Sequence, residues 1–203
     1  MGDLASGLYL ITRPHPNLEQ ILQECCAVGV RLIQIRDKQS TDEDLYRLVI
    51  SLQQSLPSSV QLIVNDRINV AARCQTGLHV GDDDVSPRLA RRRLGPDACI
   101  GVTIHRDIER AKDCAPWADY VGVGPIFQTH TKATEKSTIG IERLRNIVND
   151  CPLPVAAIGG ITETLAPAVW ATGPRSIAVC GAIMNATNPA RAAQRLLACI
   201  GES

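Results

Sequence analysis

Short apolar segments alternate with amphipathic segments along the whole chain, and this alternation is the feature that most limits how the chain can fold. The pattern predicts eight strands, at 7–12, 31–36, 61–66, 77–81, 99–105, 119–124, 154–160 and 176–181. A predicted helix follows each strand, and strands that are apolar throughout are typical of a parallel sheet covered by helices. Eight such pairs without a linker predict an α/β fold, a single (β/α)₈ TIM barrel formed by one domain over residues 1–203.

The predicted helices have recognisable ends. Thr41, Ser86–Pro87 and Asn188–Pro189 are predicted to begin the second, fourth and last helices, and Thr162 to begin the seventh. Gly95 is predicted to end the fourth helix. An open, doubly wound sheet is the alternative architecture, but no G-x-G-x-x-G motif follows a strand, which disfavours its dinucleotide-binding version.

Composition argues against several classes of partner. The 21 basic and 21 acidic residues cancel to zero net charge, and three Tyr, two Trp and one Phe provide few side chains on which bases could stack. No apolar run approaches the roughly 18 residues of a membrane span, and the first residues lack the pattern of a signal peptide. We therefore expect a cytoplasmic protein without a nucleic-acid or membrane partner. The sequence leaves open whether it forms a homo-oligomer.

The eight cysteines do not have the spacing of a metal site or a redox site. They are dispersed apart from the pair Cys25–Cys26, and no two of them form a C-x-x-C motif. We interpret them as small buried hydrophobic side chains, because free cysteine is among the most buried residue types.

Polar residues stand at the carboxyl ends of several predicted strands, which is where barrel enzymes build their active sites. The second strand carries Gln34 and Arg36 and is followed by Lys38, and the fifth strand carries Thr103 and His105. Alternation along a strand turns Gln34 and Arg36 to the same side. Solvated rim charges are the plain alternative for Arg36 and Lys38, but cations at a barrel mouth are also suited to a diphosphate.

Carboxylates follow the third and fourth strands. Asn65 and Asp66 end the third strand, and the triplet Asp82 to Asp84 follows the fourth. Adjacent strands would bring Asp66 beside the triplet, and such a pair favours Mg²⁺, which binds one or two carboxylates together with substrate phosphate oxygens. The alternative is that Asn65 and Asp66 cap the next helix and that the triplet is a solvated turn.

A long connection and two glycine-rich strand ends complete the candidate site. The connection from Pro125 to Thr138 carries Gln128-Thr129-His130-Thr131-Lys132, and its length predicts a functional lid. Gly159–Gly160 and Gly181–Ala182 would let backbone N–H groups approach a phosphate, although tight turns alone would also explain these glycines. One substrate with a diphosphate and another with a monophosphate would fill the two predicted anion sites.

Several motifs occur in a characteristic order and spacing. They are Gln34–Lys38, Val64–Arg67, Gly77–Gly81, Asp84, Gly101–His105, Asp119–Phe127, Thr129–Lys132 and Ala157–Ile161. Together they resemble the thiamine-phosphate synthase family over nearly the whole chain. The resemblance implies a (β/α)₈ barrel that joins hydroxymethylpyrimidine diphosphate to hydroxyethylthiazole phosphate and releases diphosphate.

The resemblance also implies a role for each matching position. The Mg²⁺ ligands would be Asp66 and Asp84. The groups that bind the diphosphate would be Arg36, Lys38, Asn65, Thr103 and Lys132, of which Arg36, Lys38 and Lys132 would be catalytic. Gln34 would meet the pyrimidine, and the thiazole substrate would be held by Thr129, Thr131, Gly160, Cys180 and Gly181. The metal and the cations would stabilise the departing diphosphate, so no side-chain nucleophile is required.

Three positions depart from the usual pattern of the family. Asp82 stands where Gln is common, and Thr103 and Gly181 stand where Ser is common. Thr103 keeps a hydroxyl and Gly181 keeps a backbone N–H, whereas Asp82 adds a negative charge near the expected metal.

Three alternatives remain at this point. A thiazole tautomerase on the same barrel would have little use for the carboxylates and the diphosphate cations. A non-catalytic barrel that binds thiamine precursors as a sensor would be excluded only by turnover. A generic phosphate-binding sugar isomerase is disfavoured because no separate catalytic Glu or Lys stands at a strand end.

Overall fold

The eight predicted strands form a closed parallel barrel. The computed structural model describes residues 3–129 and 137–201. The strands are β1 (Gly7–Ile11), β2 (Leu32–Ile35), β3 (Gln61–Asn65), β4 (Gly77–Val80), β5 (Ile100–His105), β6 (Tyr120–Val123), β7 (Val155–Ile158) and β8 (Ser176–Val179). They are hydrogen-bonded in sequence order, and β1 pairs with β8 to close the barrel. The predicted (β/α)₈ fold is confirmed, and the open doubly wound sheet is wrong.

Helices follow the strands around the outside of the barrel. Those in the described residues are α1 (Leu18–Ala27), α2 (Asp42–Ser55), α3 (Ile68–Cys74), α4 (Pro87–Leu94), α5 (Ile108–Cys114), α6 (Gly140–Asp150), α7 (Ala166–Trp170), α8 (Gly181–Met184) and α9 (Pro189–Cys199). The short helix α8 was not expected, because the sequence predicted only one helix after β8. In the described part of the chain, none of these helices has the length and apolar character needed to cross a bilayer.

Side-chain caps begin several helices where the sequence predicts. Thr41 accepts a hydrogen bond from the backbone N–H of Asp44 over 3.1 Å, and Ser86 accepts one from Leu89 over 3.3 Å. Asn188 caps α9 in the same way. These contacts satisfy N–H groups that have no partner within the first turn of a helix.

The predicted start of the seventh helix is wrong. Thr162 was expected to begin this helix, but α7 begins at Ala166. The hydroxyl of Thr162 lies 3.0 Å from that of Thr164, and its carbonyl accepts from the N–H groups of Leu165 and Ala166. Thr162 therefore closes a turn that precedes the helix.

Two apolar clusters lie on opposite sides of the sheet. The larger one fills the space between the strands and the helices, and it includes Ile33 and Ile35 of β2. The smaller one fills the barrel interior and includes Leu32, Tyr9 and Tyr120. Alternate residues of β2 therefore face opposite clusters, as expected for a strand. The inward residues are the ones that can reach the barrel mouth.

The amino-terminal end of the barrel is held by a buried ion pair. Arg91 of α4 contacts the carboxylate of Asp119, whose side chain is only 3% exposed. The same carboxylate accepts a hydrogen bond of 2.7 Å from the N–H of Ile100. Arg91 also donates to the carbonyls of Gly95 and Ala98, so one guanidinium fixes the turn that leads into β5.

All eight cysteines are free thiols, and five of them are buried. Burial raises the pKa of Cys25 and of Cys99 to about 12, so both thiols stay protonated at neutral pH. The prediction that these residues act as small hydrophobic side chains is confirmed for these buried positions.

Candidate active site

A lysine and a carboxylate meet at the carboxyl end of β3. Asp66 follows the last residue of β3 with a positive φ of 63°, and its N–H donates to the carbonyl of His79 over 2.9 Å. This backbone contact ties the end of β3 to β4. Lys38, in the turn after β2, places its Nζ 3.1 Å from Oδ2 of Asp66. The expected meeting of Lys38 with the β3 carboxylate is therefore found.

Asp84 lies beside Asp66, as the adjacency of β3 and β4 predicts. The N–H of Gly81 donates to Oδ2 of Asp84 over 2.7 Å and holds the carboxylate in the turn after β4. Burial raises the pKa of Asp84, and so does the neighbouring carboxyl of Asp66, which is close enough to share a hydrogen bond; Lys38 acts in the opposite direction. The alternative in which Asn65 and Asp66 cap the next helix is wrong, since Arg67 is the N-cap residue of α3 and no described side chain caps this helix.

This pair of carboxylates fits a magnesium ion. Burial is the larger cause of the raised pKa of Asp84 and the neighbouring Asp66 carboxyl adds to it, and a divalent cation would relieve the cost of ionising the pair. Mg²⁺ prefers oxygen ligands and uses one or two carboxylates while substrate phosphates fill other positions. Among the described residues, no group of three or more His, Cys, Asp or Glu side chains could hold a metal. The donor set of Asp66 and Asp84 is thus suited to Mg²⁺ bound together with a diphosphate.

The turn that carries Lys38 is built by Asp37. Oδ1 of Asp37 accepts from the N–H groups of Gln39 and Ser40, and the hydroxyl of Ser40 donates to Oδ2. Burial alone would raise the pKa of Asp37, but these hydrogen bonds lower it below its usual value. The carboxylate therefore stays charged and holds the turn in place, which positions Lys38 over Asp66.

Asp82, in the same turn as Asp84, is paired with His105 and Arg110. Its Oδ2 lies 2.9 Å from Nε2 of His105, and its Oδ1 lies 2.6 Å from Nη1 of Arg110. Arg110 is anchored in turn by a hydrogen bond to the carbonyl of Gly81. The sequence suggested that Asp82 adds negative charge near the metal, and the guanidinium of Arg110 balances that charge.

The barrel interior beneath the mouth holds a chain of hydrogen-bonded side chains. Gln34, only 3% exposed, donates from Nε2 to the hydroxyl of Tyr9 over 2.8 Å. The hydroxyls of Tyr9 and Tyr120 lie 2.8 Å apart, and that of Tyr120 lies 3.0 Å from Nδ1 of His79. Nε2 of His79 lies 2.9 Å from the hydroxyl of Thr103. Two predicted site residues, Gln34 and Thr103, are thus connected through three residues that were not assigned a role.

The remaining predicted donor on β3 is Asn65, which is buried with 9% exposure at the last position of the strand. It directly precedes Asp66. The structure therefore brings it to the same strand end as Asp66.

A second group of residues surrounds the ends of β7 and β8. Gly160 has a positive φ of 67°, and a Cβ there would lie 2.5 Å from the carbonyl oxygen of Gln128. The glycine is therefore required by the close approach of the chain that leaves β6. Cys180 and Gly181 follow β8 at the start of α8. Burial raises the pKa of Cys180, while the charges of Arg13 and Arg36 lower it. Arg13 also donates to the carbonyl of Met184 in α8 over 3.4 Å.

Arg13 was not assigned a role from the sequence. It lies two residues beyond the end of β1, while Arg36 lies one residue beyond the end of β2, and this position near a strand end was the signal that could have identified it. Tyr9, His79 and Tyr120 could have been found by applying strand alternation to β1, β4 and β6.

The connection after β6 is described only in part. Thr129 is half-buried, whereas His130, Thr131 and Lys132 lie outside the described residues. The N–H groups of Ile139 and Gly140 donate to the carbonyls of Pro125 and Ile126, which ties the two ends of the connection together. The roles of Thr131 and Lys132, and the action of this connection as a lid, stay predictions.

Comparison with known proteins assigns the family. The family profile described as "Thiamine monophosphate synthase" matches residues 8–183. A thiamine-phosphate synthase from Vibrio parahaemolyticus is 35% identical over 198 residues, which cover 95% of this chain and 97% of that protein. The chain belongs to the thiamine monophosphate synthase family. The resemblance inferred from the sequence motifs is thereby confirmed.

Other members of the family agree in fold and in sequence. The solved structure of thiamine phosphate pyrophosphorylase from Pyrococcus furiosus superposes with a TM-score of 0.83 at 30% identity and covers 96% of both chains. A thiamine-phosphate synthase from Gloeobacter violaceus is 38% identical over 197 residues, or 94% of this chain, but the match spans only 58% of that longer protein. The shared unit is therefore the barrel.

Proposed function

We propose that this protein is a thiamine-phosphate synthase. It condenses hydroxymethylpyrimidine diphosphate with hydroxyethylthiazole phosphate and releases thiamine phosphate and diphosphate. The observation that carries the proposal is the cluster of Lys38, Asp66 and Asp84 at the barrel mouth of a chain that belongs to this family. The proposal treats residues 1–203 as one catalytic domain, and the cytoplasmic location expected from the sequence stays a prediction.

The residues at the mouth provide a site for a departing diphosphate. Asp66 and Asp84 would hold Mg²⁺, which when bound supplies positive charge against the diphosphate. Lys38 and Arg36 add cations from β2, and Asn65 and Thr103 can donate hydrogen bonds to phosphate oxygens. Lys132 is proposed as a further cation on the same anion. Because Lys38 is already paired with Asp66 before the reaction, it can stabilise charge there with little reorganisation.

Positioning is the second contribution of the protein. Gln34 lies in the barrel interior below the carboxylate pair, where its side chain can bind the aminopyrimidine. Thr129 and Thr131 would orient the thiazole. Its phosphate would be bound by Gly160, Cys180 and Gly181. The positive charges of Arg13 and Arg36, which act on Cys180, would attract the same phosphate. The ring nitrogen of the thiazole then attacks the pyrimidine carbocation that forms as the diphosphate leaves. Holding both partners at one mouth turns a reaction between two molecules into one within a complex.

The test is formation of thiamine phosphate and diphosphate from the two substrates, with Mg²⁺ and with EDTA. We expect product only with the metal, and none from Asp66→Ala. Asp83→Ala is the matched control, because Asp83 is exposed between two paired aspartates and has no assigned role. No product from the wild-type protein, with thiazole phosphate still bound, would instead favour the tautomerase or the sensor.

A further inference from the structure

The buried hydrogen-bond chain below the active site has a defined order. It crosses the barrel interior through side chains from five strands, in the sequence Gln34, Tyr9, Tyr120, His79 and Thr103. Each link is between 2.8 and 3.0 Å long, within the usual range for hydrogen bonds of oxygen and nitrogen. Its two ends are the residues that the proposed function places against the pyrimidine and the diphosphate.

The direction of donation follows from the first link. The amide nitrogen Nε2 of Gln34 can donate hydrogen bonds but cannot accept them, and it donates to the oxygen of Tyr9. The oxygens of Tyr9 and Tyr120 lie 2.8 Å apart, and because Tyr9 already accepts from Gln34, we assign its single hydroxyl hydrogen to the oxygen of Tyr120. The hydroxyl hydrogen of Tyr120 is then donated to Nδ1 of His79.

The imidazole passes this order on to Thr103. Since Nδ1 of His79 accepts, its ring proton lies on Nε2 and is donated to the oxygen of Thr103. The hydroxyl hydrogen of Thr103 is consequently available for another acceptor. At the opposite end of the chain, the amide nitrogen of Gln34 is committed to Tyr9, so its carbonyl oxygen is the group left for a ligand.

We propose that this chain, with His79 in its Nε2–H tautomer, presents the carbonyl oxygen of Gln34 as an acceptor to the aminopyrimidine and the hydroxyl of Thr103 as a donor to the diphosphate. This inference rests on the proposed function. His79, Tyr9 and Tyr120 act as positioning residues, because they work through Gln34 and Thr103. The reverse order would present the amide NH₂ of Gln34 to the amino group of the pyrimidine and an oxygen lone pair of Thr103 to an anion. Both contacts would be repulsive.

The scaffold is shaped to hold this chain. A Cβ at Gly101 would collide with the ring of Tyr120, and a Cβ at Gly122 would lie 3.2 Å from Cε1 of His79, so both rings occupy space left by glycines. The rings of Tyr9 and Tyr120 pack edge to face with their centroids 6.1 Å apart. Burial raises the pKa of both tyrosines, which keeps their hydroxyls protonated as the chain requires.

The first experiment determines the tautomer directly and needs no substrate. Long-range ¹H–¹⁵N NMR of the full chain with ¹⁵N-labelled histidine distinguishes a protonated from an unprotonated ring nitrogen. The signals of His79 are assigned among the four histidines by their absence in His79→Gln. We expect a protonated Nε2 and an unprotonated Nδ1. A proton on Nδ1, or an equal mixture of the two tautomers, would overturn the inference.

The second experiment removes one hydroxyl from the chain. Tyr120→Phe should raise the KM for the pyrimidine diphosphate by about tenfold and leave the KM for the thiazole phosphate nearly unchanged. Tyr46→Phe is the matched control, because Tyr46 lies on α2 and contacts Arg73 away from the barrel interior. Equal changes in both KM values, or kinetics like those of Tyr46→Phe, would contradict a positioning role. If Tyr120→Phe does not fold, Tyr9→Phe must give the same difference between the two substrates.

The two experiments separate failure of this inference from failure of the proposed function. A wild-type protein that forms no thiamine phosphate would refute the proposed function, whatever the NMR result. An active wild-type protein whose His79 carries its proton on Nδ1 would refute only the inference.

Discussion

The carboxyl groups of Asp66 and Asp84 lie close enough to share a hydrogen bond, although they follow different strands. Two ionised carboxylates at this distance repel each other and lower the free energy of unfolding. A bound cation would remove this repulsion. Metal binding is the explanation that agrees with their place at the barrel mouth.

The cost of this pair predicts an effect of Asp84→Asn on stability. Because the pKa of Asp84 is raised in the folded state, its ionised form opposes folding at pH values above its ordinary pKa. In EDTA at pH 7 we expect Asp84→Asn to raise the Tm by about 2 °C, and the difference should vanish below about pH 4. Mg²⁺ should reverse the order by stabilising only the wild-type protein. Thermal melts with Asp83→Asn as control test this, and a lower Tm of Asp84→Asn in EDTA would contradict it.

The ion pair between Lys38 and Asp66 predicts a loss of activity without a loss of stability. The side chain of Lys38 is 56% exposed, and exposed ion pairs contribute little to folding. Lys38→Ala should therefore reduce kcat by about 10–100-fold, because a cation that faces the leaving group is lost, while the Tm stays nearly constant. Arg47→Ala, which removes another exposed pair, should preserve both. A kcat of Lys38→Ala equal to that of Arg47→Ala would remove the role assigned to Lys38.

The partners of Asp82 predict that this departure from the family pattern has little effect on the metal. Its carboxylate is paired with Arg110 and His105. Asp82→Gln should thus change the Mg²⁺ concentration for half-maximal activity by less than about twofold, since the lost charge was already balanced. Titration of activity with Mg²⁺ measures this. A much lower Mg²⁺ concentration for half-maximal activity in the variant would mean that Asp82 weakens the metal site.

The ion pair of Arg91 and Asp119 at the amino-terminal end of the barrel predicts a loss of stability without a loss of activity. Arg91→Ala leaves the buried carboxylate of Asp119 without its cation, and we expect a loss of about 3 kcal/mol in the free energy of unfolding. Activity per folded molecule should be retained, because this end of the barrel lies away from the mouth. Arg92→Ala, at an exposed neighbouring position, should change stability by less than about 0.5 kcal/mol. Urea unfolding of the three proteins decides between them, and similar results for the two variants would refute the role of the pair.

Gly101 and Gly122 predict that an added methyl group lowers stability by different amounts at the two positions. Gly101→Ala should destabilise the barrel by about 1–3 kcal/mol, because the ring of Tyr120 fills the position of the new Cβ. Gly122→Ala should cost less stability, since the imidazole of His79 lies 3.2 Å away and can shift. The same shift should reduce its activity. Thermal melts and steady-state kinetics of both variants test this order, and a more stable Gly101→Ala than Gly122→Ala would contradict it.

Much of the site could be located from the sequence because its residues stand at strand ends. One apolar segment and the alternation of its side chains located Gln34, Arg36 and Lys38. The next two apolar segments along the chain located Asp66 and Asp84. Parallel strands place such residues at one edge of the barrel, and Lys38, Asp66 and Asp84 meet there. The helix that Thr162 was expected to begin shows the limit of this approach, because its hydroxyl contacts Thr164 in place of the backbone.

The sequence by itself determined the alternation of strands and helices, the barrel, and the strand ends that carry polar side chains. Those features are local, since they depend on the periodicity of apolar residues and on the chemistry of helix ends. Only the tertiary structure decided that Asp82, in the same triplet as Asp84, pairs with Arg110 and His105. It also decided that Tyr9, His79 and Tyr120 join Gln34 to Thr103. These contacts link different strands, so they depend on the closure and register of the barrel, which no single segment of the chain contains.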